Sequence, residues 1–236
     1  MPSLAVIVPC FNEHKRLNAS AFTEFIKANN AFTFFFVNDG STDGTKVVLE
    51  TIFERNPNQV HLVHLQKNTG KGEAIRQGII ASSKMAFDYT AFIDADLSTP
   101  ATEFIRLYQL LNINTEVLFA SRIKKAGSVI KRSAFRHVTG RLIATIIDGH
   151  FNLGIYDTQC GTKFFKTYLL RNIIEKPFIT TWFFDVEIFL RLRNNFPQIA
   201  WHEEPLRYWK DDGQSKLSIL SGFKVCRELA ALLKHY

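Results

Sequence analysis

The chain has 236 residues, of which 46% are hydrophobic and 22% charged, with 12 Gly and 7 Pro; it can bury a core without staples, and wholesale disorder, collagen-like repeats and low-complexity chains are excluded. Cys10, Cys160 and Cys226 stand too far apart for a disulfide framework or a metal-ligand spacing, which fits a reducing compartment. The net charge of +7 is local: Arg122, Lys124, Lys125, Lys131, Arg132, Arg136 and Arg141 fall in a stretch from Arg122 to Ile147 that holds no acid, which leaves the remainder neutral.

The first hundred residues alternate short apolar runs with segments of helical period. Leu4–Val8, Thr33–Val37, Val60–Leu65 and Tyr89–Ile93 are rich in β-branched and aromatic residues and predict buried strands. Helices are predicted near Ala21–Ala28, Gly44–Glu54 and Gly72–Ser83. This alternation predicts an α/β fold with a mostly parallel central sheet flanked by helices. A helix near Thr102–Leu111 and a fifth strand over Glu116–Ala120 follow. After Ser121 come the basic stretch, a polar turn at Asp157–Lys163, a helix near Trp182–Asn194, a strand-like segment at Ile199–Trp209 and a closing helix near Leu217–Lys234. No linker or internal repeat divides the chain, so a single domain over 1–236 is expected. No secretory signal opens it, and no run approaches the roughly 18 apolar residues of a membrane span. The expected location is cytoplasmic, peripheral at a membrane face.

Polar and acidic residues gather just beyond strand ends, at Pro9–Glu13, Asn38–Thr45, Lys67–Gly72 and Asp94–Pro100. In open α/β sheets ligands bind at that edge. Asp94-Ala95-Asp96 places two carboxylates one residue apart, suited to a hard divalent cation and also to an Asp turn or helix cap. Asp39 can accept from a base N–H, whereas Asp43 is read as a cap for the next helix. Backbone N–H groups of Asn68-Thr69-Gly70-Lys71-Gly72, with Lys71, can face a phosphate. Neither a Walker A loop nor a dinucleotide glycine fingerprint is present.

Taken together, Val6-Ile7-Val8-Pro9-Cys10-Phe11-Asn12-Glu13, Val37-Asn38-Asp39-Gly40-Ser41-Thr42-Asp43, Asn68-Thr69-Gly70-Lys71-Gly72 and the Asp-X-Asp motif Asp94-Ala95-Asp96 resemble glycosyltransferase family 2. Ala120-Ser121-Arg122, Asp157-Thr158-Gln159-Cys160-Gly161-Thr162-Lys163-Phe164-Phe165 and Trp182-Phe183-Phe184-Asp185-Val186-Glu187 are similar to its dolichyl-phosphate glucosyltransferase and polyprenyl-phosphate mannosyltransferase branch. Two departures stand out: the N-terminal anchor of the eukaryotic glucosyltransferases and the C-terminal membrane helices of many bacterial relatives have no counterpart here. The resemblance implies a Rossmann-like GT-A fold with a nucleotide-sugar-binding half (1–97) and an acceptor-binding half (98–236). It implies an inverting, metal-dependent hexosyltransferase that uses Mg²⁺ or Mn²⁺. The favoured donor is UDP-glucose, with GDP-mannose second, and the acceptor is a polyprenyl or dolichyl monophosphate. Pro9, Asn12, Glu13 and Asp39 would hold the base and ribose. Lys71 and Asp94 would stand near ribose and diphosphate, and Asp96, with Asp94, would bind the metal. Arg122, Arg132, Lys163 and Lys216 are the candidates for the acceptor phosphate or leaving group. Asp96, Arg122 and Asp185 are the candidate catalytic residues.

The basic stretch favours a phosphorylated acceptor, which is largely ionised near pH 7 and needs cations more than a base. For a sugar-hydroxyl acceptor in polysaccharide or glycan assembly, Asp185 or Glu187 would be the base; a non-catalytic nucleotide-sugar-binding module is a third reading. The basic stretch has little aromatic interleaving, so no nucleic acid partner is expected. Lys131–Ile147 reads equally as an interfacial helix on an anionic membrane and as a core helix with a basic end, and a separate membrane protein is a further candidate partner. Leu220, Phe223, Cys226, Ala230 and Leu233 form a stripe expected to be core.

Overall fold

In chain order the elements are β1 (Leu4–Cys10), α1 (Ala19–Lys27), β2 (Phe32–Asp39), α2 (Thr45–Arg55), β3 (Val60–Leu65), α3 (Lys71–Ser82) and β4 (Tyr89–Phe92). Then come α4 (Ala101–Tyr108), β5 (Val117–Ser121), β6 (Val129–Lys131), α5 (Ala134–Phe151), β7 (Lys163–Lys166) and α6 (Thr167–Ile173). The last elements are α7 (Phe184–Asn195), β8 (Trp201–Pro205), β9 (Tyr208–Lys210) and α8 (Ile219–His235). This computed structural model describes residues 1–210 and 219–236, except for the side chains at 135, 136 and 219–222. Two compact units emerge, each made of two stretches of chain: Met1–Leu97 with Gly161–Pro177, and Ser98–Cys160 with Phe178–Tyr236. Residues 161–177, counted with the second half in the sequence reading, thus fold with the first.

In the first unit the strand order is β3-β2-β1-β4-β7. The first four strands are parallel, and β7 runs antiparallel to β4. Near-continuous apolar runs suit strands covered on both faces, and β1 and β2 are buried almost throughout. Pro9 sits in β1, although proline cannot donate to a ladder. β4 pairs only with Leu4–Ile7, so Pro9 lies past the last rung on that side. Phenylalanines fill the core under α1. Phe22 meets Phe36 edge-on at 5.1 Å, and Phe25 meets Phe34 at 5.2 Å. Such pairs add about 0.5–1.5 kcal/mol each beyond area burial. The sequence reading did not foresee β7 or α6. Lys163-Phe164-Phe165-Lys166 is a short run flanked by charge, and it takes strand form by pairing with β4, far back in the chain. Arg76 on α3 then clamps the end of α6, donating to the Ile174 carbonyl at 2.8 Å.

In the second unit β5 pairs with β8 and β6 with β9, both parallel. The segment read as one strand at Ile199–Trp209 is therefore two strands, which part after Pro205. Arg106 on α4 braces the break: it donates to Glu204 at 2.7 Å and to the Pro205 carbonyl at 3.1 Å. Helix α7 is buried on most of its surface. Val186, Phe189 and Leu190 of the expected stripe are core, but Trp182 precedes the helix and is 40% exposed. The stripe on α8 is corrected. Phe223 is 85% exposed and Cys226 is exposed, while Glu228 and Leu232 are buried; Leu220 falls outside the described side chains. Glu228 is buried because it has partners: it accepts from Thr181 N at 2.9 Å and Trp182 N at 2.6 Å.

Candidate active site

In the first unit the loops beyond β1, β2, β3 and β4 are tied to one another. Asn12 takes a positive φ of 51°, a conformation that Asn tolerates better than most residues. Its N–H donates to Ser41 Oγ at 3.0 Å, and its Oδ1 accepts from Thr42 N at 2.9 Å. The Glu13 N–H donates to Thr45 Oγ1 at 2.7 Å. Asp39 accepts from Thr69 N and Thr69 Oγ1, both at 2.7 Å, and from Gly70 N at 2.8 Å. It therefore fixes the 67–70 loop directly. Gly40, at φ 63°, lies against that loop; an added Cβ would stand 2.6 Å from Lys67 Cα. Asp43 lies one residue before the N-cap Gly44 and accepts from Thr45 N at 3.0 Å. Burial raises its pKa, but the bonds from Thr45 prevail and hold it below the ordinary aspartate value.

The two aspartates of the Asp-X-Asp motif are met by cations of their own unit. Lys71 Nζ lies 2.5 Å from Asp94 Oδ1. Arg16 Nη1 lies 3.4 Å from Asp96 Oδ2, and its Nη2 lies 2.5 Å from Glu13 Oε1. The unit thus brings together Asn12, Glu13, Asp39, Lys71, Asp94 and Asp96, with Pro9 half-buried at the end of β1. Gly161 returns against Asp94, where an added Cβ would come within 2.6 Å of its Cγ. Arg16 and Gly161 were not singled out in the sequence. No motif spacing marks Arg16, whereas Gly161 stands inside a segment already noted as a polar turn.

Two hard carboxylates suit Mg²⁺ or Mn²⁺, which are typically held by one or two carboxylates together with substrate phosphates. Among the described residues no group of three or more His, Cys, Asp or Glu is arranged to hold a metal by itself. The donor set therefore fits an ion that arrives with its diphosphate. The Lys71–Asp94 pair is partly exposed, and pairs of that kind contribute only about 0–1 kcal/mol, so exchange of partners is cheap.

The second unit contains a small open cleft, lined on its polar side by Arg122, Arg132, His137, Asp157 and Gln159 and on its apolar side by Ile143, Ala144 and Ile147. Arg122 and Asp157 form a fork, with Nε to Oδ2 at 2.7 Å and Nη2 to Oδ1 at 2.8 Å. Arg122 also lies over the Trp209 ring, 5.4 Å from its centroid. Burial would push the Asp157 carboxyl up, but Arg122, reinforced by Arg132, holds it well below the usual carboxylate range. Burial pushes the neighbouring Glu203 up, against bonds it accepts from Tyr156 N at 2.9 Å and Asp157 N at 2.8 Å. Arg141 donates to the Tyr156 carbonyl at 2.7 Å and stacks on the Tyr156 ring. The basic stretch thus divides. Arg122 and Arg141 secure the turn at 156–157, Arg132 faces the cleft, and Lys124, Lys125 and Lys131 are exposed.

The other candidates are placed as follows. Asp185 is buried in the first turn of α7 and does not line the cleft. Glu187 is fully buried; it accepts from Ile179 N, Thr180 N, Arg191 and Tyr236, which makes it a structural tie. Lys163 belongs to the first unit and has no exposed surface, so it offers no open contact to an acceptor phosphate here. Lys216 lies outside the described residues. Asp157, which the sequence reading left without a role, is the acid that organises the cleft.

A family model described as glycosyl transferase family 2 matches residues 5–173. A dolichyl-phosphate beta-glucosyltransferase of Dictyostelium discoideum is 29% identical over 250 residues, covering 99% of this chain and 74% of that protein. A polyprenol monophosphomannose synthase of Mycolicibacterium smegmatis is 24% identical, covering 90% of this chain and 80% of that one. Among solved structures, a glucosyl-3-phosphoglycerate synthase of Mycobacterium tuberculosis, crystallised with Mn²⁺, UDP and glucosyl-3-phosphoglycerate, superposes with a TM-score of 0.70 at 15% identity, over 98% of this chain and 78% of that one. That likeness shows the fold, which is the GT-A fold.

Proposed function

The chain belongs to glycosyl transferase family 2, and from that premise we propose that it transfers glucose from UDP-glucose to a polyprenyl or dolichyl monophosphate, with inversion at C1. The observation that carries this reading is the cleft of the second unit. Arg132 and His137 face a wall of Ile143, Ala144 and Ile147, a pairing of cation and hydrocarbon that suits a phosphate on an isoprenoid chain. The named activities of the Dictyostelium and Mycolicibacterium relatives support the same acceptor class.

In the reaction an acceptor phosphate oxygen forms the bond to C1 as the bond from C1 to the nucleoside diphosphate breaks. A phosphate monoester has a second pKa of about 6 and is already nucleophilic near neutral pH, so no base has to take a proton. Asp39 and Asn12 keep the donor loops in place, and Lys71 and Arg16 supply positive charge beside them. Asp94 and Asp96 would hold Mg²⁺ or Mn²⁺, which when bound neutralises charge on the departing diphosphate. Arg132 holds the acceptor phosphate, while Arg122, committed to Asp157, shapes the cleft. Positioning and electrostatics supply most of the rate. Asp185, buried in the first turn of α7, does not serve as a base.

The test incubates the chain with radiolabelled UDP-glucose or GDP-mannose, polyprenyl phosphate and Mn²⁺. Label should enter the lipid fraction from UDP-glucose; no label from any common donor would refute the acceptor assignment. Asp185→Asn should reduce transfer modestly. A loss of several orders of magnitude would instead indicate a general base and a hydroxyl acceptor.

A further inference from the structure

Helix α5 has apolar residues on two faces, and only one face is covered. Gly140, Ile143, Ala144 and Ile147 look into the cleft. Val138, Leu142 and Ile146 follow at i, i+4 and i+8 on the other side, and they are 62%, 64% and 43% exposed. With about 100° of rotation per residue, the two sets lie on roughly opposite sides of the helix. Single exposed apolar residues are ordinary, but a row along a helix marks an interaction surface.

The chain leading into α5 has the same character. In the β6–β9 ribbon Val129 lies beside Tyr208 and Lys131 beside Lys210. Paired residues of a parallel ribbon share a face, and alternate residues return to it. These four are exposed, while Trp209 on the opposite face is buried. The outer row is therefore an apolar pair followed by a lysine pair. Lys124 and Lys125 precede it, and no acid occurs from Arg122 to Ile147. Charge selects the occupant: a second copy would bring two acid-free basic stretches together, whereas anionic headgroups would neutralise them.

We propose that the outer face of α5, with the lysines of the segment that leads into it, docks on the surface of an anionic lipid bilayer. Val138, Leu142 and Ile146 enter the interfacial region, and Lys124, Lys125 and Lys131 meet the headgroups. The cleft side of the same helix remains free for the acceptor phosphate. This deepens the acceptor reading, since a polyprenyl phosphate resides in a bilayer, but docking is measurable with no acceptor present.

The experiment floats the full chain with vesicles of phosphatidylcholine alone or of equal parts phosphatidylcholine and phosphatidylglycerol. Binding is expected only to the anionic vesicles, and it should weaken with salt. The double variant Leu142→Ser, Ile146→Ser should lose at least about tenfold in partitioning. Lys124→Gln with Lys125→Gln should lose about fivefold or more. Both double variants should melt as the parent does and should keep its rate of transfer to a short prenyl phosphate dissolved in water. No binding by the parent, or equal binding by the Leu142/Ile146 variant, overturns the proposal. So does a parent dimer in light scattering that this variant makes monomeric, because a second copy then covers the face. If vesicles are bound but label reaches no lipid phosphate, docking stands and the acceptor reading falls.

Discussion

The loops of the first unit and the cleft of the second handle charge in different ways. In the first, the loops carry acids and amides that are met by groups of neighbouring loops: Asp39 by Thr69 and Gly70, Asn12 by Thr42, Asp94 by Lys71, and Asp96 by Arg16. In the cleft of the second, Asp157 is the one lining carboxylate among the described residues and faces both Arg122 and Arg132, while Lys124, Lys125 and Lys131 stand exposed. Donor loops that hold one another need little reorganisation when a nucleotide arrives. A cleft lined by two arginines and one carboxylate keeps a positive balance that suits an anion. One unit therefore suits a metal with its diphosphate, and the other suits a phosphate without a metal.

The sharpest way to break that contrast is Asp96→Ala. If the acid-rich loops hold the ion, turnover should fall by at least about 10³, or roughly 4 kcal/mol, and Mn²⁺ should no longer restore it; full activity would make those acids merely structural. Next in size is Asp157→Ala, which leaves Arg122 partly buried without its carboxylate. It should cost about 3 kcal/mol in urea unfolding. Because the folded pKa of Asp157 lies below its unfolded value, its contribution is complete above the unfolded pKa and is lost as pH falls through the folded one. The variant's stability should therefore vary less with pH on the acid side. Glu203 has the opposite sign: its raised folded pKa favours the fold at low pH, and that advantage is lost as pH rises through it. Urea midpoints from acid to neutral pH would separate the two carboxyls.

Most of the first unit was legible, because each parallel strand announces itself as an unbroken apolar run and each loop as a cluster of polar residues. Legibility failed where partners come from far along the chain. Lys163–Lys166 takes strand form by pairing with β4, and Glu228 is buried against donors at 181 and 182. A periodicity argument puts an acid such as Glu228 on the wet side of a helix, so the stripe through Phe223 was assigned to the core. Arg16 escaped notice because its partner Asp96 stands 80 residues away in sequence. The basic stretch was visible as a run, but its division into structural and cleft-facing residues depends on Asp157 and Tyr156. The position of those two opposite Arg122 and Arg141 belongs to the fold.

Two glycines compare the units at finer scale. At Gly161 an added Cβ would meet the Asp94 carboxylate, a short side chain with little room to retreat. Gly161→Ala should cost about 1–3 kcal/mol, and it should weaken the thermal shift produced by UDP with Mn²⁺, as Asp94 is turned from Lys71. At Gly140 the added Cβ would stand 2.6 Å from Arg132 Nη2, the far end of a long side chain that can swing away. Alanine also improves a helix interior over glycine by roughly 1 kcal/mol, so Gly140→Ala should leave stability unchanged or slightly higher. Its effect should fall on the acceptor. With Arg132 displaced, KM for polyprenyl phosphate should rise severalfold while KM for UDP-glucose and kcat hold. Unchanged acceptor KM would mean that Arg132 does not hold the phosphate, and the contrast between a metal-binding unit and an anion-binding unit would lose its second term.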